Sequence, residues 1–184
     1  MLVLPLLLAL LSVGCSLQKY EGGETFPPPK EVNAAHQGKT ILLHMKSGLK
    51  PDDTQPCVAF NMAAGLVRSG YKVSILIDAR AAADFVAEDP SKSKWGGYKL
   101  PEAMKQALGA ELNIPAEQMP STYLDYLKWM SDQGAQVYMN ATMNVLNKTA
   151  TKLRTQPKVP PFIKPLTFPE MAKLVAESDK YIAY

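Results

Sequence analysis

Residues 40–78 read TILLHMKSGLKPDDTQPCVAFNMAAGLVRSGYKVSILID, and this stretch decides the fold. Thr40 to Met45 is a short apolar run of the kind buried on both faces of a parallel sheet, and Gly48 to Asp53 after it is turn chemistry. Thr54 reads as a helix cap, and Pro56 sits where a helix tolerates proline. Val58, Met62 and Leu66 with Ala59 and Ala63 then supply an apolar face. Gly70 closes that helix. Tyr71 to Asp78 is rich in β-branched residues and reads as a second strand. A strand, helix, strand unit with a right-handed crossover makes its two strands parallel.

Working downstream, Ala79 to Glu88 is expected to be helical and Asp89 to Tyr98 a flexible loop. Trp95-Gly96-Gly97-Tyr98 within it is either a lid on glycine hinges or a loop whose aromatics pack down. Pro101 opens a short helix to about Leu108, and Ser121 to Asp132 forms another, ended by Gly134 in a left-handed cap. Ala135 to Met139 is a strand and Thr142 to Ala150 a helix. Pro157 to Pro165 holds too much proline for a helix or a central strand. Thr167-Phe168-Pro169-Glu170 matches a capping box opening a helix through about Glu177, and Lys180 to Tyr184 ends the chain as a strand. Alternating strands and helices give an α/β fold: a mostly parallel sheet of about five strands with helices on both faces.

Upstream, the first fourteen residues are uncharged and leucine-rich, and they stop at Cys15. A span this short falls below the roughly 20 helical residues needed to cross a bilayer and suits the apolar core of an export signal. Ser12-Val13-Gly14-Cys15 resembles the lipobox of bacterial lipoproteins. That resemblance implies cleavage before Cys15, a lipid on its sulfur, and a periplasm-facing protein of the bacterial cell envelope anchored to a membrane. An ordinary cleaved signal or an apolar anchor is the other reading of the stretch. Three segments result: signal peptide 1–14, tether 15–38 and a single α/β domain 39–184. Gly22-Gly23 and Pro27-Pro28-Pro29 make the tether extended and flexible. The net charge of +3 is too small to argue for nucleic acid, and no base-reading motif is present.

Cys15 and Cys57 are the chain's only cysteines. With lipid on Cys15, Cys57 has no partner within the chain; without it, a disulfide between the two is open. Cys57 falls in the first turn of the helix after strand one, where free backbone amides and the helix dipole favour thiolate; the same small residue beside Val58 and Ala59 also suits plain packing. His44, near the end of strand one, is its candidate base or hydrogen-bond partner, or simply a hydrogen-bonded strand histidine. Asp78 and Asn140 end strands at the sheet edge where α/β folds bind ligands, and with Met139 they are candidate ligand-binding residues. Met45, Met139 and Met143 with His44 and Cys57 form a soft-ligand set. They lack the close spacing of a metal motif, so neither metal nor cofactor is expected. Lys148, Lys152, Arg154, Lys158 and Lys164 make one basic stretch with no acidic residue among them.

Ile41 to Met45, the Gly70-Tyr71-Lys72-Val73 entry to strand two, Gly134 before Val137-Tyr138 and the terminal strand, in this order, resemble the DsrE/DsrF-like family. The likeness implies a small flavodoxin-like layered domain that forms homo-oligomers and works in sulfur metabolism. Sulfur-handling members of that family carry a cysteine just after the strand equivalent to Gln136-Val137-Tyr138, and here those positions are Met139 and Asn140. The resemblance therefore implies a non-catalytic or partner-dependent binding module of envelope sulfur or redox metabolism, with a sulfur-carrier or redox protein as partner. A persulfide or thiol carrier using Cys57 is the alternative.

Overall fold

The computed structural model describes residues 38–49, 54–87, 89–155 and 157–184, so the leader, Cys15 and the tether up to residue 37 lie outside the described residues. Strands β1 (Thr40–Met45), β2 (Lys72–Ile77), β3 (Gln136–Asn140), β4 (Ile163–Leu166) and β5 (Lys180–Ala183) form one five-stranded sheet in the order β4-β3-β2-β1-β5. Every pairing is parallel. The unit read from residues 40–78 is present: β1 runs beside β2 from Thr40 opposite Lys72 to Met45 opposite Ile77, with α1 (Thr54–Arg68) as the crossover.

The connections from β1 through β4 step across the sheet in one direction, and α7 (Phe168–Ala176) carries the chain back to the far side of β1. With right-handed crossovers a return step places its helix on the opposite face. The packing agrees. On one face Ile41, Leu43, Met45, Ile75, Ile77 and Val137 meet Phe60 and Ala63 of α1 and Tyr126 and Leu127 of α5 (Tyr123–Asp132). On the other, Leu42 and Leu76 are covered by Met171 of α7, flanked by Tyr138, Leu166 and Leu174. The strand pleat has a period of two, so His44 stands on the Leu42 side, away from α1. β1 is also the strand at which the connectivity reverses, and the carboxyl ends of strands at such a reversal are where open α/β sheets hold ligands.

Several local expectations change. The segment 89–98 is no flexible lid. After a 3-10 turn, Pro90–Lys92, it forms the short helix α3 (Lys94–Gly97), capped by Ser93 Oγ accepting the Gly96 N–H at 3.1 Å. Trp95 is buried between Phe60 and Phe85, both ring centroids 5.4 Å away, and its indole N–H donates to the Ala81 carbonyl at 2.9 Å. The apolar mass of one tryptophan thus outweighs the freedom of two glycines. The helix after β2 is only α2 (Ala79–Ala83), because the Asp84 carboxylate turns inward to accept the Leu49 N–H at 2.7 Å and to meet Lys94 Nζ at 2.7 Å. A Cβ on Gly48 would collide with that carboxylate and with the Arg80 side chain, so only glycine fits there.

α4 (Glu102–Leu112) runs past its expected end to Asn113, which takes a left-handed cap at φ 53°. α6 (Ala141–Leu146) stops early, where Thr149 turns in to donate to the Asn144 carbonyl at 3.1 Å. The proline-rich stretch yields an edge strand, β4, where Pro165 costs no ladder bond to an outer neighbour. Two expected caps hold: Gly134 sits at φ 103°, and Glu170 closes the capping box on Thr167.

Candidate functional site

The carboxyl ends of β1, β2 and β3 gather three of the residues singled out by their strand-end positions, and the neighbouring β5 adds a fourth. Asp78 follows β2 directly, and its backbone N–H donates to the Met45 carbonyl at 2.8 Å, which holds it level with the end of β1. Its Oδ1 accepts two N–H groups, from Ala79 at 2.7 Å and from Asn140 Nδ2 at 2.9 Å. Its Oδ2 meets His44 Nε2 at 3.1 Å. The other ring nitrogen, His44 Nδ1, lies 2.8 Å from the phenol oxygen of Tyr181 on β5. The two rings meet edge to face with centroids 5.9 Å apart.

The network is graded from dry to wet. Asn140 is 4% exposed, His44 and Asp78 side chains are 15% and 20% exposed, and Tyr181 is 47% exposed. Burial pushes the Asp78 carboxyl up, but the bonds from His44, Ala79 and Asn140 outweigh it and hold the group below its usual value of 3.8. Asn140 is fully committed: its Oδ1 caps α6 by accepting the Thr142 N–H at 2.9 Å. Ala79, beside Asp78, has a positive φ of 44°, a left-handed conformation that costs a non-glycine residue on the order of 1 kcal/mol and tends to mark functional turns.

The remaining candidates fall elsewhere. Cys57 is in the first turn of α1 as expected, but it is 4% exposed and packs within the core on the face opposite His44, its Sγ 3.5 Å from Met104 Sδ. It is a disulfide half-cystine in this structure, and the one other cysteine in the sequence, Cys15, lies outside the described residues. Met139 is fully buried on that same core face, with Met45. The soft-ligand set is therefore divided by the sheet. Among the described residues no three His, Cys, Asp or Glu side chains are grouped to hold a metal. Arg154 of the basic stretch is paired with Glu170 at 3.1 Å.

Tyr181 is the site residue that strand-end reasoning missed, since its place depends on the last strand returning beside the first. Two clefts, of about 290 Å³ beside Leu49 and Lys94 and about 350 Å³ beside Leu124 and Pro161, include none of the four residues of the network. Both lack a convergent set of buried polar groups, so the hydrogen-bonded network at the sheet edge is the stronger candidate.

No protein-family model matches the sequence, and no curated protein matches it. Among solved structures, that of the ychN protein from E. coli, a DsrE-like fold, is similar over 80% of this chain and 100% of that chain, with a TM-score of 0.52 and 12% identity. The fold is accordingly a DsrE-like α/β sheet; at that identity the likeness speaks for the fold alone.

Asp78→Asn replaces one of two acceptor oxygens by an amide donor while the Ala79, Asn140 and His44 donors remain. It should lower stability at pH 6 by about 1–3 kcal/mol. Because the folded carboxyl titrates below 3.8, its contribution is complete above that value and disappears as pH falls through the folded pKa. Thermal unfolding should therefore show a gap between wild type and variant at pH 6 that narrows as pH falls from about 5 to about 3. A gap that is absent at pH 6, or that fails to narrow below about pH 5, would contradict this account.

Proposed function

We propose that the chain is an exported, lipid-anchored, DsrE-like binding module that holds a small polar ligand at the carboxyl edge of its sheet and acts with a partner in envelope sulfur or redox metabolism. The observation that carries this reading is the convergence of His44, Asp78, Asn140 and Tyr181 beside the strand where the connectivity reverses. Burying a carboxylate, an imidazole and an amide at the rim of a sheet costs desolvation that a purely apolar edge avoids. Such groups are retained where a ligand uses them.

A covalent sulfur carrier finds less support. The position where sulfur-handling relatives would carry cysteine is Met139 in the core and Asn140 spent on Asp78 and α6. Use of Cys57 would require its sulfur to leave the packing under α1. Partner dependence follows, since a binding site without its own sulfur nucleophile needs one brought to it.

The mature chain, titrated with N-acetylcysteine, hydrogen sulfide or glutathione hydropersulfide, should show amide NMR shifts concentrated at His44, Ala79, Asn140 and Tyr181, and Asp78→Ala should abolish them. Shifts spread over the basic stretch, or none with any of the three, would overturn the edge as the binding site. No helix among the described residues is long and apolar enough to cross a membrane; for location, the lipobox-like Ser12-Val13-Gly14-Cys15 is what supports attachment through Cys15. A Cys15 sulfur bridged to Cys57 has no valence left for a lipid, so the anchored and bridged chains are different molecules with different intact masses. Cys15→Ser should leave the membrane fraction and lose fatty-acid label; label retained in that variant would rule the anchor out.

A further inference from the structure

We propose that Tyr181, His44 and Asp78 form a proton-accepting relay that deprotonates a weakly acidic group of the molecule held at this edge, with thiols and hydropersulfides as the substrate class. The inference rests on the reading of the edge as a ligand site and adds a chemical activity to it.

Hydrogen direction fixes the relay. Asn140 Oδ1 accepts the Thr142 N–H, so its NH₂ faces Asp78. The Ala79 N–H is a donor only. An ionised Asp78 accepts only, so His44 Nε2 carries the hydrogen that points at Oδ2. A neutral imidazole with its hydrogen on Nε2 has its lone pair on Nδ1, and the Tyr181 O–H donates into it at 2.8 Å. Every hydrogen in the chain therefore points inward, from the half-exposed phenol to the carboxylate. The phenol oxygen turns its lone pairs to solvent, where it greets a donor, X–H, and not an anion.

The step balances within these groups. X–H gives its proton to Tyr181 Oη as the phenol's own proton passes to His44 Nδ1. X keeps the bonding electron pair as X⁻, and the imidazolium is neutralised by Asp78, which keeps its Nε2–H bond. The return of the proton reverses each movement, and no oxidant or reductant takes part. Acidity selects the class: imidazole ordinarily titrates near 6.5 and a thiol near 8.5, a gap of about two units that such a relay bridges. Hydroxyl groups with acidity like that of water, near 16, lie far out of reach.

Holding β5 against β1 does not by itself require the triad. That task is served by the parallel ladder and by backbone bonds such as Tyr184 N–H to the His44 carbonyl at 3.0 Å and Lys46 N–H to the Tyr184 carbonyl at 2.7 Å.

An aryl sulfonyl fluoride reads the relay directly, since the phenol oxygen forms the O–S bond, fluoride leaves from sulfur and the phenol's proton is taken by His44. At pH 7.5 the mature chain should be modified at Tyr181 at least tenfold faster than free N-acetyltyrosinamide. His44→Gln, whose side-chain carbonyl still accepts the phenol O–H but is no base, should lose that advantage. A Tyr181 rate no higher than that of the free phenol, or an unchanged rate in His44→Gln, overturns the relay. N-acetylcysteine should protect Tyr181 where N-acetylserine at the same concentration does not; equal protection, or none, removes thiols as the class. Fast labelling without ligand-induced NMR shifts would defeat the binding reading and leave the relay standing. Shifts without fast labelling would do the reverse.

Discussion

Two oxygens of Asp78 receive three N–H donors, from Ala79, Asn140 and His44, and the arrangement of the carboxyl edge depends on that convergence. Each donor comes from a different part of the chain: the turn into α2, the end of β3 and the end of β1. A carboxylate so surrounded stays ionised despite partial burial, because hydrogen bonds to the charged form offset the loss of water. An ionised carboxylate in turn fixes the imidazole tautomer, and the tautomer fixes the direction of the phenol hydrogen on β5. Fold and site are thus coupled through one group. Were the last strand to pair anywhere but beside β1, the relay would lack its outer member.

The sheet order explains why this edge, and not another, carries polar side chains. Three successive crossovers place α1, α5 and the intervening helices over one face, which becomes thick and aromatic through Phe60, Phe85, Trp95, Tyr123 and Tyr126. The return through α7 covers the other face with one short helix, so that face buries Leu42, Leu76 and Met171 and little else. His44 lies on the thin side, where a polar ring reaches partial solvent; on the thick side it would have been sealed among aromatics. The same alternation separates it from Cys57, which lies under α1.

Much of this was legible from residues alone. The apolar runs around Leu43 and Ile75 with glycine-closed helices between them specify parallel strands, and Asp78 and Asn140 were identified by ending strands at the edge where such sheets bind ligands. His44 was recognised, but with Cys57 as its companion, although the period-two pleat of β1 sets the two on opposite faces. Tyr181 was hidden because its role comes from a pairing across the whole chain, Leu42 beside Tyr181, and local pattern does not report such a pairing. Of the two readings open at Trp95, a hinged lid or aromatics packed down, the second holds: Gly96 and Gly97 signal freedom locally, while the core claims the indole between them and Ser93. The prolines around Ile163 concealed β4, since an edge strand tolerates proline where a central one does not.

The central claim is that His44 is held as its Nε2–H tautomer, with Nδ1 open to the Tyr181 hydroxyl. Long-range proton–nitrogen NMR correlation on the neutral imidazole measures this directly, because protonated and unprotonated ring nitrogens resonate far apart. The account predicts a protonated Nε2 and an unprotonated, hydrogen-bonded Nδ1 whose signal moves in Tyr181→Phe. A neutral His44 that carries its hydrogen on Nδ1, or an Nδ1 signal indifferent to loss of the phenol, would contradict it.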